Sequence, residues 1–532
     1  MSPYECYPCL PAKQLAEPVP YAANANFLPR VYIAADHFNT TCPMSPVLLF
    51  CILLAYFALL LGVAWATSRN ATNDSFYIGN KSSNWMLVAF GMVGTTLSGA
   101  TFISVPGAVG RDGFGYGQIL IGYIFGYIAV AYILLPLYYK LKLTSIYSYL
   151  DMRLGRRAYQ SGAGFFILSR LLGATARLYL VVNILQVIIL DSLGVPFWLT
   201  TLVILGMILI YTYQGGVKTI VWTDTLQTTC MLIGLVACVG FLLSQLDLTV
   251  GQSLAQMDAR GLSRIFTSSP DSPSFWLKQI VAGIFIVITM TGMDQEMMQK
   301  TISVKTLADS QKNLLSLTLV LTIVLSLFLF LGGLLHLYAP LVGVTASGDQ
   351  LFPAIVTGHL PAAVQVIFLI ALVSALFPSA DGAITALTST TCIDLLGLQR
   401  RKDLGEAAQV RIRKAIHLGY AGLFLLLVLA FKAVDNPSMI GVILKLAAYT
   451  YGPLLGLFTF GIITSRGLND KLVPVVTIGA PVLCALLEFN QAHLFATYRF
   501  GLEMLIVNGI FVFAGLWAIS TPQQLAAVVK PT

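Results

Sequence analysis

Thirteen long apolar runs punctuate the chain, and this pattern limits its fold more than any other feature. The runs lie near 46–67, 84–108, 116–139, 161–190, 197–213, 217–245, 275–297, 313–339, 363–391, 415–431, 438–464, 472–489 and 502–519. A helix needs about 20 mostly apolar residues to cross the hydrocarbon core. Strands of a membrane barrel would instead show alternating segments of about ten. The expected class is an all-α polytopic membrane protein with about 13 transmembrane helices. Composition agrees, since 57% of the 532 residues are hydrophobic and only 10% are charged, against roughly 25% charged in soluble domains. A soluble enzyme, a disordered chain and a disulfide scaffold are excluded on the same grounds.

Lysine and arginine set the direction of threading, because short cytoplasmic loops carry them in excess. Twenty of the 31 basic residues follow odd-numbered runs, and seven lie on the opposite side. This predicts an external N-terminus and a cytoplasmic C-terminus, with the loops at 140–157 and 400–414 dominating the bias. The net charge of +8 is thereby a topology signal and does not indicate nucleic-acid binding. Residues 1–45 read as a polar external tail holding Cys6 and Cys9, with Met44 as an alternative start. The five histidines show no metal-ligand spacing and no Walker-type loop is present, so neither a metal centre nor ATP-driven pumping is expected.

Two runs are interrupted. The second reads GMVGTTLSGATFISVPGAVG over 91–110, rich in Gly, Ser and Thr with Pro106 close behind. The seventh reads VITMTGMDQEMMQK over 287–300, where Thr291-Gly292 precedes Asp294, Gln295 and Glu296. Interrupted spans at matching places in two halves point to the binding site of a secondary transporter. The alternative for the second run is that its small residues let helices pack closely. Each interrupted run opens a set of five, and five is odd, so the second set enters the membrane from the other side. The expected organisation is therefore an inverted repeat, 84–245 and 275–464, flanked by a helix at 46–70 and by 472–532.

Ionisable groups at membrane depth are costly and mark function by default. Asp224 lies in VWTDTLQ, roughly 10 Å below the cytoplasmic end at 1.5 Å per residue. Asp381 stands mid-span after Pro378-Ser379. Both read as cation-binding groups or as members of a buried structural network. Arg170 and Arg177, seven residues apart, share one helix face and read as structural pairs or as solute contacts. Pro378 cannot donate to the carbonyl of Ser374, so a freed carbonyl stands beside the Ser379 hydroxyl, a combination suited to sodium.

Several motifs then occur in a fixed order: FYIGNKSSNW at 76–85, LTSIYSYLDMRLG at 143–155, GGVKTIVWTDTLQ at 215–227, MDQEMMQKTISVKTLADSQKN at 293–313 and GPLLG at 452–456. On these the chain resembles the sodium/solute symporter family, which includes bacterial sodium/galactose, sodium/proline and sodium/sialic acid transporters. The resemblance implies a LeuT-type inverted five-helix repeat in a bacterial-type inner (plasma) membrane. It also implies sodium-coupled import of a small organic solute by alternating access. Proton coupling on the same fold and a transporter-like sensor are the alternatives. No enzymatic activity and no cofactor beyond the coupling ion are implied. The family's sodium site maps to the carbonyls of Gly94, Leu97 and Ala375 and the hydroxyl of Ser379, with Pro378 where a second hydroxyl is usual. Asp224 matches the Asp of the W-T-D motif, at a second cation site or on the ion's exit route, with Asp381 near the same place. Thr101, Asp294 and Gln295 map to the solute, and Arg177 (or else Arg170) to a solute carboxylate. An anionic solute such as a carboxylate or sialic acid is thus expected. The expected partners are that solute, sodium and the lipid bilayer, with no nucleic acid and the oligomeric state left open.

Overall fold

The computed structural model describes residues 45–67, 83–398, 401, 403–434, 439–495 and 497–522. Nearly all of the expected external tail, with Cys6, Cys9 and Met44, and most of the 76–85 motif lie outside the described residues. The described apolar runs are helical, as lipid requires, because each backbone N–H must find its acceptor within its own segment. In order they are α1 (Pro46–Thr67), α2 (Trp85–Thr96), α3 (Gly99–Asp112), α4 (Tyr116–Lys140), a short α5 (Ser148–Arg153), α6 (Arg156–Leu190) and α7 (Phe197–Leu246). Then follow α8 (Val250–Ala259), α9 (Trp276–Gly292), α10 (Gln295–Thr301), α11 (Leu307–Val342), α12 (Leu351–His359) and α13 (Ala362–Leu395). The last are α14 (Glu406–Val434), α15 (Met439–Ile463), α16 (Val473–Phe489) and α17 (Met504–Ala518).

Both interruptions are bends. α2 and α3 meet at 56°, and α9 and α10 at 68°. At the first, Leu97 leaves helical geometry (φ −90°, ψ 73°) and Ser98 is extended. At the second, a π-turn over Ile288–Gly292 ends α9, and Asp294 starts α10 by accepting the N–H groups of Glu296 and Met297 at 3.0 and 3.2 Å. Each bend lies in the first crossing of its set of five.

One boundary differs from expectation. Runs 197–213 and 217–245 were expected as helices separated by a loop, yet helical bonding continues through all 50 residues of α7. At 1.5 Å per residue the path is about 75 Å, more than twice the hydrocarbon thickness. The partners along α7 show that it doubles back. Phe197 lies under Lys432 near the end of α14, while Thr212 bonds His417 far down the same helix. His417 also bonds Thr388 near the end of α13, and α7 then runs back along α13, with Gly234 against Ala371. The two crossings are present, and the chain reverses between Thr212 and Thr219.

Two seams are unusually close. A Cβ on Gly122 of α4 would stand 2.1 Å from the Ile280 carbonyl of α9, and one on Gly283 would stand 2.5 Å from the Ile119 carbonyl. Small residues four apart permit such backbone approach. Between α15 and α17 the contact repairs a defect. Pro453 has no N–H, so the Tyr449 carbonyl loses its helical donor. The Asn508 amide of α17 donates to it at 2.9 Å and to the Ala448 carbonyl at 3.1 Å.

Candidate functional site

The bend between α2 and α3 frees backbone oxygens. The Leu97 N–H returns to the Val93 carbonyl, and the carbonyls of Gly94 and Leu97 accept no hydrogen bond among the described residues. α13 packs against this break, since a Cβ at Gly94 would lie 3.6 Å from Pro378 Cγ and one at Gly99 3.8 Å from Leu376 Cα. Ala375 and Ser379 are both buried there. The Ser379 hydroxyl donates to the Leu376 carbonyl at 2.9 Å, and Pro378 withholds a donor from the carbonyl of Ser374. The stretch of α13 that holds Ala375 and Ser379 therefore packs against the break that holds Gly94 and Leu97, where two backbone oxygens are unclaimed. Unwound carbonyls of this kind can replace water around a cation.

A cavity of about 90 Å³ lies beside the break. Thr101, Tyr116, Tyr127, Arg170, Arg177 and Met290 are among its walls. Thr101 and Arg177 were expected at the solute, and the cavity wall contains both. The Arg177 guanidinium has no hydrogen bond or ion pair among the described residues. The cavity adjoins a second of about 290 Å³ across Tyr116, Ile440 and Leu444. On the other side, a layer of bonds closes the molecule towards the basic loops. Tyr138 donates to the Gly292 carbonyl at 2.7 Å and Tyr147 to the Met293 carbonyl at 3.0 Å.

Asp294, Gln295, Asp224 and Asp381 each have partners of their own in the structure. Asp294 is absent from the cavity wall. Its Oδ1 caps α10 and pairs with Arg170 at 3.1 Å, and its Oδ2 accepts the Tyr451 hydroxyl at 2.6 Å. Gln295 points away from the cavity, accepting the Ile146 N–H at 3.0 Å and donating to the Thr144 carbonyl at 3.1 Å. The cap geometry turns Asp294 back onto its own helix, and the next residue projects to the α4–α5 loop. Asp224 meets the Lys300 ammonium at 2.8 Å and the Thr95 hydroxyl at 3.2 Å through its Oδ2, while its buried Oδ1 has no hydrogen-bond partner among the described residues. Asp381, also buried, accepts the Gly382 N–H, and Gly382 packs on Glu296 and Lys300.

Three residues of this network were not singled out from sequence: Glu296, Lys300 and Tyr451. Glu296 lies 2.6 Å from Arg170 and 3.6 Å from Lys300. The topology count placed Lys300 in a loop, but the 68° bend turns α10 inward and leaves Lys300 only 2% exposed. The available signal was the i,i+4 spacing of Glu296 and Lys300 directly after a broken span.

Comparison with known proteins agrees with this architecture. Residues 76–470 match the Sodium:solute symporter family. The chain is 26% identical over 419 residues to the mouse sodium-coupled monocarboxylate transporter 1, covering 75% of this chain and 66% of that one. It is 26% identical to the human sodium/iodide cotransporter, covering 75% and 62% respectively, so the match spans just under two thirds of these two relatives. The sodium/sialic acid symporter of Proteus mirabilis is 22% identical, with 82% and 89% covered. Among solved structures, a substrate-bound, outward-open sodium-coupled sialic acid symporter superposes with a TM-score of 0.76 at 19% identity, covering 89% of this chain and 99% of that one. A nucleobase-cation-symport-1 family transporter, Mhp1, in a closed conformation, gives 0.53 at 14% identity, covering 84% and 93%. These two likenesses show a shared LeuT-type fold.

Proposed function

The chain belongs to the sodium:solute symporter family, whose members are membrane transporters rather than enzymes, and from that premise we propose that it imports a small organic anion together with sodium by alternating access. The observation that carries the anionic reading is the unpaired Arg177 guanidinium in the wall of a cavity beside the α2–α3 break. A guanidinium meets a carboxylate with two parallel hydrogen bonds, and Thr101 in the same cavity wall adds a hydroxyl. The relatives named for monocarboxylates, iodide and sialic acid support a solute of negative charge. The basic loops would face the cytoplasm, which places the larger cavity on the outside.

Sodium would sit between α2 and α13, on the carbonyls of Gly94, Leu97 and Ala375 and the Ser379 hydroxyl. Binding there ties the broken span to α13 and favours the solute-competent state. The Lys300 ammonium at Asp224 supports one sodium per cycle rather than two. One sodium moving with a monoanion carries no net charge, so a tenfold sodium gradient (about 1.4 kcal/mol) sustains about tenfold accumulation.

The test is uptake of radiolabelled small carboxylates into proteoliposomes, with sodium or choline outside, across pH. The expected result is sodium-dependent uptake that Arg177→Gln weakens by about 10–100-fold in apparent affinity. Uptake that ignores sodium and follows the proton gradient would refute sodium coupling. Uptake confined to neutral or cationic solutes would refute the anionic reading.

A further inference from the structure

We propose that Thr228 of α7 is a ligand of the cation held between α2 and α13, supplying a hydroxyl where Pro378 has none; this rests on the sodium-coupled reading above. Four oxygens, from Gly94, Leu97, Ala375 and Ser379, make a sparse shell. Thr228 stands against the same place. Its Oγ1 lies 2.3 Å from the point a Cβ on Gly94 would occupy, and Pro378 Cγ lies 3.6 Å from that point. Glycine at 94 is what admits the hydroxyl.

The state of that hydroxyl is the second observation. A threonine inside a helix ordinarily satisfies its hydroxyl on the carbonyl four residues earlier. Thr223, Thr225 and Thr229 of the same helix all do so, at 3.3, 2.7 and 2.8 Å. Thr228 is fully buried and its Oγ1 has no hydrogen-bond partner among the described residues. A buried hydroxyl left unbonded opposes folding. A hydroxyl with lone pairs to give, set against Gly94 at the helix break, adds an oxygen to the shell that a cation there would draw on. Asp224, one turn back on α7, is paired through its Oδ2 with Lys300 at 2.8 Å.

The experiment is a sodium titration of the melting temperature of the purified full chain in detergent, without solute, with choline holding ionic strength constant. The variants are Thr228→Val, Thr228→Ser and Ser379→Ala. Thr228→Val is expected to raise the sodium concentration giving half the stabilisation by about tenfold or more. Its melting temperature without sodium stays unchanged or rises, because an unbonded hydroxyl has been removed. Thr228→Ser keeps the hydroxyl and the wild-type response. An unchanged half-saturation in Thr228→Val overturns the proposal, whether or not the sodium-free melting temperature drops. If Ser379→Ala weakens sodium and Thr228→Val does not, the sodium site stands and Thr228 is excluded from it. If sodium fails to stabilise the wild type over choline, the sodium-coupled reading falls and this inference falls with it.

Discussion

Replacing Lys300 by methionine keeps most of the side-chain stem and removes the ammonium from the centre of the charged network. The Lys300 nitrogen lies 2.8 Å from Asp224 Oδ2, and both side chains are 3% exposed or less. At an effective dielectric constant near 20, that separation corresponds to an attraction of about 6 kcal/mol. Desolvation of the two ions offsets much of it, so the intact pair is nearly neutral for stability. Removing one partner is not neutral. Asp224 would keep only the Thr95 hydroxyl, and an uncompensated buried charge costs about 3–5 kcal/mol. Glu296 retains Arg170 at 2.6 Å, so the loss concentrates at Asp224. The double variant Asp224→Asn/Lys300→Met discharges both sides and should regain about 2 kcal/mol over Lys300→Met alone. Equilibrium unfolding in mixed detergent micelles, followed by tryptophan fluorescence, measures all four species. Wild-type stability in Lys300→Met, or a double variant that loses the sum of the two single losses, would refute the pairing argument.

Three further outcomes are expected. With one sodium per monoanion, initial uptake into proteoliposomes should not change when a valinomycin potassium potential is imposed; a steep dependence on potential would show additional charge moving. Gly122→Ala should destabilise the protein by about 1–3 kcal/mol, because the added Cβ meets backbone at 2.1 Å, whereas Gly164→Ala, with nothing within 4 Å, should not. Asp349, outside the spans and bonded to the Met439 N–H at 3.1 Å, has its carboxyl raised from 3.8, chiefly by burial. The folded chain therefore holds that proton more tightly than the unfolded one. This residue's contribution is fully present below pH 3.8 and is lost as pH rises through the raised value. Melting curves of Asp349→Asn against wild type across that window should diverge in this sense.

The spans could be read from sequence because bilayer thickness dictates an apolar length that little else imitates. The bends could be read as well, since Gly94, Ser98 and Gly99 around Leu97, and Thr291-Gly292 ahead of Asp294, weaken helix continuation. What was hidden depended on the direction of those bends. Lys300 follows an apolar run, and only the 68° turn at Asp294 decides that it folds inward to Asp224. The family resemblance maps Asp294 to the solute, and the structure adds what the sequence did not show, that its carboxylate caps the new helix. Arg170 and Arg177 share a helix face, and spacing alone does not separate them. α10 comes within reach of the first, which takes Asp294 and Glu296 and leaves the second to the cavity.

The amide of Asn508 gives the order of synthesis a part in assembly. Fifty-nine residues separate it from the Tyr449 carbonyl it serves. While the ribosome makes them, α15 waits in the bilayer with an acceptor that Pro453 has left without a donor, at a depth where water cannot substitute. α17, made later, supplies the donor that α15 lacks. Nascent chains arrested before Asn508 should leave α15 open to membrane proteases, and chains arrested beyond α17 should not. Tyr451 lies two residues past the repaired carbonyl and holds Asp294, so a helix that takes no part in the charged core steadies the segment that does.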